Sequence, residues 1–273
     1  MNAQNPSLLP LHDLRDLRIA VIALARQAGD AIMAVYATDF TVQDKSDTSP
    51  VTAADTQAEA VILAGLARLT PQIPVVSEEA AATGRLPSFD STQRFWLVDP
   101  LDGTKEFIQR NGEFTVNIAL IENHQPVLGV VLAPALGKTG RLYSGARGLG
   151  AQVEDEQGCR ALQCRVPPEP ARGMTIVASR SHNDAAALDA FFAERQIKVD
   201  RLVAAGSSLK LCLVAAGEAD LYPRLGRTME WDIAAGHAVL AAAGGQVLTL
   251  SGATLTYGKA GLENPHFVAS VTR

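Results

Sequence analysis

Apolar positions recur at helical spacing through "LRDLRIAVIALARQAGDAIMAVY" (14–36) and again from Ala53 to Leu69, where Pro71 closes the run. Two helices are predicted, separated by the polar, breaker-rich loop "QDKSDTSPVT". The period then changes. "IPVVSEEA" and "RFWLVDP" are short apolar strands that stop on acids. "EFTVNIALIE" (113–122) and "QPVLGVVLAP" (125–134) are β-rich runs joined only by Asn123 and His124, which predicts an antiparallel hairpin. "GKTGRLYSGARGLGAQVED" adds short strands with glycine turns.

Periodicity lapses between Gln157 and Gly173, in "QGCRALQCRVPPEPARG", where prolines cluster. The expected division is an N-terminal α+β half, 1–157, and a C-terminal α/β half, 158–273. In the second half strand and helix alternate: "MTIVASRSH", a helix over 184–195, "VDRLVAA", a helix in "SSLKLCLVAAG", "ADLYPR", a helix in "WDIAAGHAVLAAAGG", then "QVLTL". Such alternation predicts helices layered on a sheet. The chain has no internal repeat and no low-complexity segment.

Composition narrows the function. A chain of 273 residues with 47% hydrophobic and 19% charged positions is an ordinary globular protein able to bury a full core. The net charge of −5, with 24 Lys and Arg scattered along the chain, argues against a nucleic-acid binder, which needs a concentrated basic face. A small anionic substrate needs only a few local cations. "MNAQNPSLLPLHDLRD" lacks the basic-then-apolar order of a secretory leader, and no uninterrupted apolar run approaches the roughly 18 residues of a membrane span. A cytoplasmic protein without a transmembrane segment is the expectation, with peripheral attachment to the inner face of the membrane left open. Three cysteines make no disulfide framework; Cys159 and Cys164 could meet across a hairpin, and Cys212 reads as core filler.

The acids carry the chemistry. Glu78 and Glu79 follow one strand, Asp99 and Asp102 another, Asp55 begins a helix and Asp232 opens the last large one. A carboxylate at the end of a buried strand loses hydration, and several converging there repel unless a cation neutralises them. A hard divalent ion is the economical answer, because it takes oxygen ligands from carboxylates, backbone carbonyls and water. "WLVDPLDGTKEF" (96–107) suits that purpose: Pro100 restricts the turn, Asp99 and Asp102 present oxygens, the Leu101 carbonyl lies between them, Gly103 removes a side chain and Thr104 adds a hydroxyl. The bland alternative is an Asp-rich turn with Asp102 as a helix cap. Further along, Gly206 and Ser207 precede a helix whose free N–H groups could hold a phosphate, with Lys210 one turn in. A plain serine cap and a surface lysine are the competing reading. His182 could meet a purine or be structural, and Arg224 could contact phosphate.

"VVSEEA", "WLVDPLDGTKEF" and "EWDIAAGHAVLAAAGG" resemble the signature segments of the inositol monophosphatase superfamily of magnesium-dependent, lithium-sensitive phosphatases, in matching order and with "DKSDTSPVTAAD" upstream. Within it, "DGTKEF", "RNGEFTVNIAL", "GSSLK" and "LYPR" are similar to the 3'(2'),5'-bisphosphate nucleotidases. The resemblance implies a two-part α/β/α/β/α layered sandwich of the sugar phosphatase type, with the site between the halves. It implies Mg²⁺ as cofactor, two or three ions as in metal-clamp phosphatases, held by Glu78, Asp99, the Leu101 carbonyl, Asp102 and Asp232. Asp55, Glu78 and Thr104 would activate and orient water, and Lys45 would sit in a basic loop position. Substrate contacts would come from Glu78, Leu101, Asp102, Gly103, Thr104, His182, Ser207, Lys210, Arg224 and Asp232. Glu79 and His237 receive no role. The implied substrate is adenosine 3',5'-bisphosphate, with 3'-phosphoadenylyl sulfate as an additional candidate. An inositol or sugar monophosphatase and a non-catalytic metal and nucleotide sensor are the alternatives.

Overall fold

The computed structural model describes residue 9 and residues 11–38, 42–44, 50–91, 93–179 and 185–271. Lys45 and His182 lie outside the described residues. The first half begins with α1 (Leu11–Tyr36), a small hairpin of β1 (Val42–Asp44) and β2 (Pro50–Thr52), and α2 (Ala53–Leu69). It continues through β3 (Val75–Ser77), α3 (Glu78–Ala82), β4 (Arg94–Asp102) and α4 (Thr104–Ile108). Then come β5 (Thr115–Glu122), β6 (Gln125–Ala133), β7 (Arg141–Ala146), β8 (Gly150–Asp155) and β9 (Gly158–Leu162). Strands β3 to β9 form one sheet in chain order, antiparallel except for the parallel β3–β4 pair. Asn123 and His124 both take positive φ, 51° and 61°, the geometry of a two-residue hairpin turn whose twist matches its strands.

The second half comprises β10 (Met174–Ser179), α5 (Ala185–Glu194), β11 (Val199–Ala205), α6 (Leu209–Ala215), β12 (Leu221–Arg224), α7 (Glu230–Ala242), β13 (Gly245–Thr249) and β14 (Phe267–Val271). Its sheet has the order β11-β10-β12-β14-β13, with β14 antiparallel to both neighbours. Sequence periodicity does not mark β14. Nor does the expected cut at 157/158 match the sheets: β9 pairs with β8, so the chain leaves the first sheet only after Leu162. The proline cluster that follows carries the crossing.

Period-two alternation explains the layers. On β4, Trp96 and Val98 pack with α1 and α2, whereas Phe95 and Leu97 pack with α6 and α7. On β5, Val116, Ile118 and Leu120 face the first helices while Ala119 and Ile121 face the others. Met174, Ile176 and Leu221 send the far side of the second sheet against Phe191 of α5. Helices, sheet, helices, sheet and helix therefore stack in five layers, as the resemblance implied. By length and composition α1 could cross a membrane, which a count of uninterrupted apolar residues missed. Here its Leu14, Val21, Leu24, Ala25, Ala28 and Ile32 are buried against α2 and the first sheet.

Helix α7, which carries Asp232, lies directly on the first sheet because β6 and β7 offer glycines beneath it. A Cβ on Gly129 would sit 2.3 Å from the Ala235 carbonyl oxygen, and one on Gly145 would sit 2.8 Å from Val239 Cα. Backbone cannot yield as a side chain does. Gly129→Ala should destabilise the fold by about 1–3 kcal/mol, the usual cost of overpacking, and lower Tm by several degrees in a thermal melt. An unchanged Tm would show that α7 can ride higher without cost.

Candidate active site

The parallel pairing of β3 with β4 ends at Ser77 opposite Val98, so the next residues are Glu78, which begins α3, and Asp99, which continues in β4. On the other edge of β4, Asp99 is opposite Asn117 and Asp102 opposite Thr115, which leaves Pro100 and Leu101 facing Val116 alone. This is a β-bulge, a place where a residue without an N–H costs no ladder bond. The Leu101 N–H donates to Asp99 Oδ1 at 3.1 Å, and the Thr104 hydroxyl is 3.5 Å from the Leu101 carbonyl oxygen. Gly103, at φ 90°, is the N-cap of α4, so the reading of Asp102 as a helix cap is set aside. Asp102 Oδ2 instead accepts the Ser207 hydroxyl at 2.7 Å and the Asn117 amide at 3.5 Å.

From the second half, Asp232 is the third residue of α7 and its Oδ2 accepts the Met229 N–H at 2.8 Å. Ser208 donates its hydroxyl to the Asp232 carbonyl oxygen. The parallel strands converge here too. The chain passes from β10 to β11 on one side and then to β12 on the other, and the carboxyl ends at such a reversal leave a crevice. The resulting cavity, of about 380 Å³, is lined by Glu78, Asp99, Leu101, Asp102, Gly103, Thr104, Ser207, Lys210, Arg224 and Asp232. Ten residues placed at the site by sequence thus share one cavity. Asp55, fully buried, stands behind that lining.

Electrostatics tie the set together. Burial first, and then the charges of Glu78, Asp102, Asp232 and Asp55, hold the Asp99 carboxyl well above the usual carboxylate range. Asp232 is raised well by burial and by Asp102 and Glu78, against the opposing Met229 N–H and Arg224. Asp102 is also raised by burial, moderated by Lys210 and Ser207. Acids from α2, the end of β3, β4 and α7 therefore lie within one another's field. Their oxygens suit a hard cation, whose charge would remove the repulsion. Among the described residues no three of these side chains stand close enough together to hold an ion without moving.

Two specificity residues make bonds that the sequence did not foretell. Lys210 is buried, which sets aside the surface-lysine alternative. Its Nζ donates to the carbonyls of Ser207 at 2.5 Å and Ala205 at 3.4 Å, and lies over the Tyr222 ring, while burial pushes its pKa down to about 8. Ser207, at φ 52°, turns its hydroxyl toward Asp102 and Thr115. α6 has only seven residues, and its N-cap Ser208 makes no side-chain cap bond. Arg224 donates to the Arg227 carbonyl at 2.8 Å. Tyr222 of "LYPR", together with Arg227 and Thr228, which no sequence motif singled out, also lines the cavity. His237 Nδ1 lies 2.8 Å from the Tyr257 hydroxyl, and burial presses its pKa to about 3, so it is a neutral core group that pins α7.

Residues 13–270 match the Inositol monophosphatase family. The chain belongs to that family. Its members are metal-dependent phosphatases. The chain is 48% identical over 254 residues to 3'(2'),5'-bisphosphate nucleotidase CysQ of Escherichia coli, covering 92% of this chain and 98% of that one. It is 51% identical over 239 residues to the CysQ of Salmonella typhimurium, covering 87% and 92%. Among solved structures, CysQ from Bacteroides thetaiotaomicron, a bacterial member of the inositol monophosphatase family, matches with a TM-score of 0.76 at 37% identity, over 94% of this chain and 98% of that one. An inositol monophosphatase from Anabaena matches with a TM-score of 0.74 at 26% identity, over 94% and 91%.

The raised carboxyls make a pH prediction for the metal-free protein. Their folded-state pKa values exceed those of the unfolded chain, so protonation favours the fold. That contribution is complete below about pH 4 and is lost as pH rises through the raised values. In chelator, Asp99→Asn should gain Tm relative to wild type as pH rises above about 4, reaching a few degrees, a comparison in which groups shared by both proteins such as His237 cancel. A difference in Tm that stays constant across pH would rule the repulsion out.

Proposed function

We propose that this protein is a Mg²⁺-dependent phosphatase that removes the 3'-phosphate of adenosine 3',5'-bisphosphate, giving AMP and phosphate. The observation that carries the reading is the mixed lining of one cavity. Carboxylates that could hold cations against one phosphate share it with Arg224 and Arg227, which offer positive charge to a second. The volume of about 380 Å³ suits a nucleotide-sized ligand. The relatives named CysQ support this substrate over an inositol or sugar monophosphate, which needs no second anion pocket. Three free cysteines, two of them buried, agree with a reducing cytoplasm as the place of action.

Glu78, Asp99, Asp102, Asp232 and the Leu101 carbonyl would hold the ions, two or three by analogy with metal-clamp phosphatases. Bound there, Mg²⁺ supplies charge neutralisation and an acidified water for in-line displacement at phosphorus. The chain does the positioning. Asp55 would accept the proton from the water, the Thr104 hydroxyl and Glu78 would orient it, and Ser207 would keep Asp102 aimed at its ligand. Arg224 would grip the 5'-phosphate, far from the bond being broken, so that its binding energy positions the reacting group.

Phosphate release with Mg²⁺ should be much faster from adenosine 3',5'-bisphosphate than from inositol 1-phosphate at matched concentration, and the reverse order would sink the substrate assignment. Millimolar Li⁺ should inhibit. Arg224→Ala should lower kcat/KM for the bisphosphate about tenfold to a hundredfold, the loss of one charge-assisted bond of roughly 1.5–3 kcal/mol. Hydrolysis of adenosine 3'-monophosphate should barely change. Equal losses on both substrates would make Arg224 part of the scaffold.

A further inference from the structure

Helix α2 buries two acids on one face, Asp55 and, one turn later, Glu59, which is 7% exposed. A buried carboxylate that is no metal ligand needs a partner. Glu59 has one: its Oε1 accepts the hydroxyl of Ser77 at 2.5 Å. Ser77 is fully buried, ends β3 and caps α3, its own Oγ accepting the Ala80 N–H at 3.4 Å. The next residue is Glu78. A side-chain bond therefore ties the helix that presents Asp55 to the turn that presents Glu78.

We propose that Glu59 is a positioning residue of the active site: by accepting the Ser77 hydroxyl it holds the Glu78 turn against α2 and sets the separation of Glu78 from Asp55. The inference rests on the metal-dependent reading above. Mutual repulsion within the acid set would drive Glu78 and Asp55 apart, and the Glu59–Ser77 bond opposes that without placing another charge in the cavity, because Glu59 does not line it. Such bonds behind metal ligands hold them in their ligating pose, and their loss weakens metal binding rather than the fold alone.

The test is Mg²⁺ titration by calorimetry on substrate-free protein, with Tm and steady-state kinetics on the same preparations. Glu59→Ala and Ser77→Ala should each weaken Mg²⁺ binding about 10- to 100-fold, and the double variant should be no worse than the singles, because both remove one bond. Glu59→Gln, whose amide oxygen still accepts the hydroxyl, should bind Mg²⁺ close to wild type. KM for the nucleotide at saturating Mg²⁺ should hardly move. Wild-type affinity in both alanine variants would overturn the proposal, as would a Gln variant as impaired as Glu59→Ala. If Glu59→Ala does not fold, Ser77→Ala, a smaller change, decides on its own. Wild-type protein that fails to bind Mg²⁺ would overturn the metal reading itself, whereas normal wild-type binding with unaffected variants would overturn the role of Glu59 alone.

Discussion

Carboxylates in a poorly solvated space repel one another, and the junction between the two sheets forces Asp55, Glu78, Asp99, Asp102 and Asp232 into one another's field. The local architecture can be understood as what holds that arrangement together. The bulge at Pro100 and Leu101 lets two acids leave one strand close together. Glycines at 129 and 145 bring α7 down onto the first sheet, so that Asp232 reaches across from the other half. Behind α7, buried Glu230 accepts the N–H groups of Gly258 and Lys259 and the Lys259 ammonium, and His237 meets Tyr257, which fixes the helix along its length.

The second half contributes charge of the opposite sign. Its parallel strands change direction around β10, and the carboxyl ends of β10, β11 and β12 deliver Ser179, Ser207 and Arg224 to the same opening as the acids. Lys210 is the intermediary. Buried beside Asp102 and bonded to two carbonyls of its own loop, it tempers the acid field while stiffening the loop that carries Ser207. Its ammonium thus has a scaffold role that a lysine one turn into a helix does not announce.

Much of this architecture is legible in the order of residues alone. Alternation and helical period locate the strands and helices because each buries one stripe, and the stop of "VVSEE" and "WLVDP" on acids marks strand ends as the chemical edge. β14 escapes because "HFVAS" follows a turn-rich stretch and is too short to show a period. The division at 157 falls short because β9 is short and mostly exposed, so its pairing with β8 leaves no alternating apolar signature.

The sequence by itself determined which residue types were available and where each element ends, since local period, breakers and the spacing of Asp99, Pro100 and Asp102 are properties of neighbours in the chain. Only the tertiary structure decided which acids share a field, that Ser207 serves Asp102, that Lys210 is buried and that Glu59 holds Ser77. Those facts depend on contacts between residues far apart in the chain, 18 positions for Glu59 and Ser77 and 105 for Asp102 and Ser207. Burial and pairing at such separations are set by how layers stack, and a one-dimensional pattern carries no record of that.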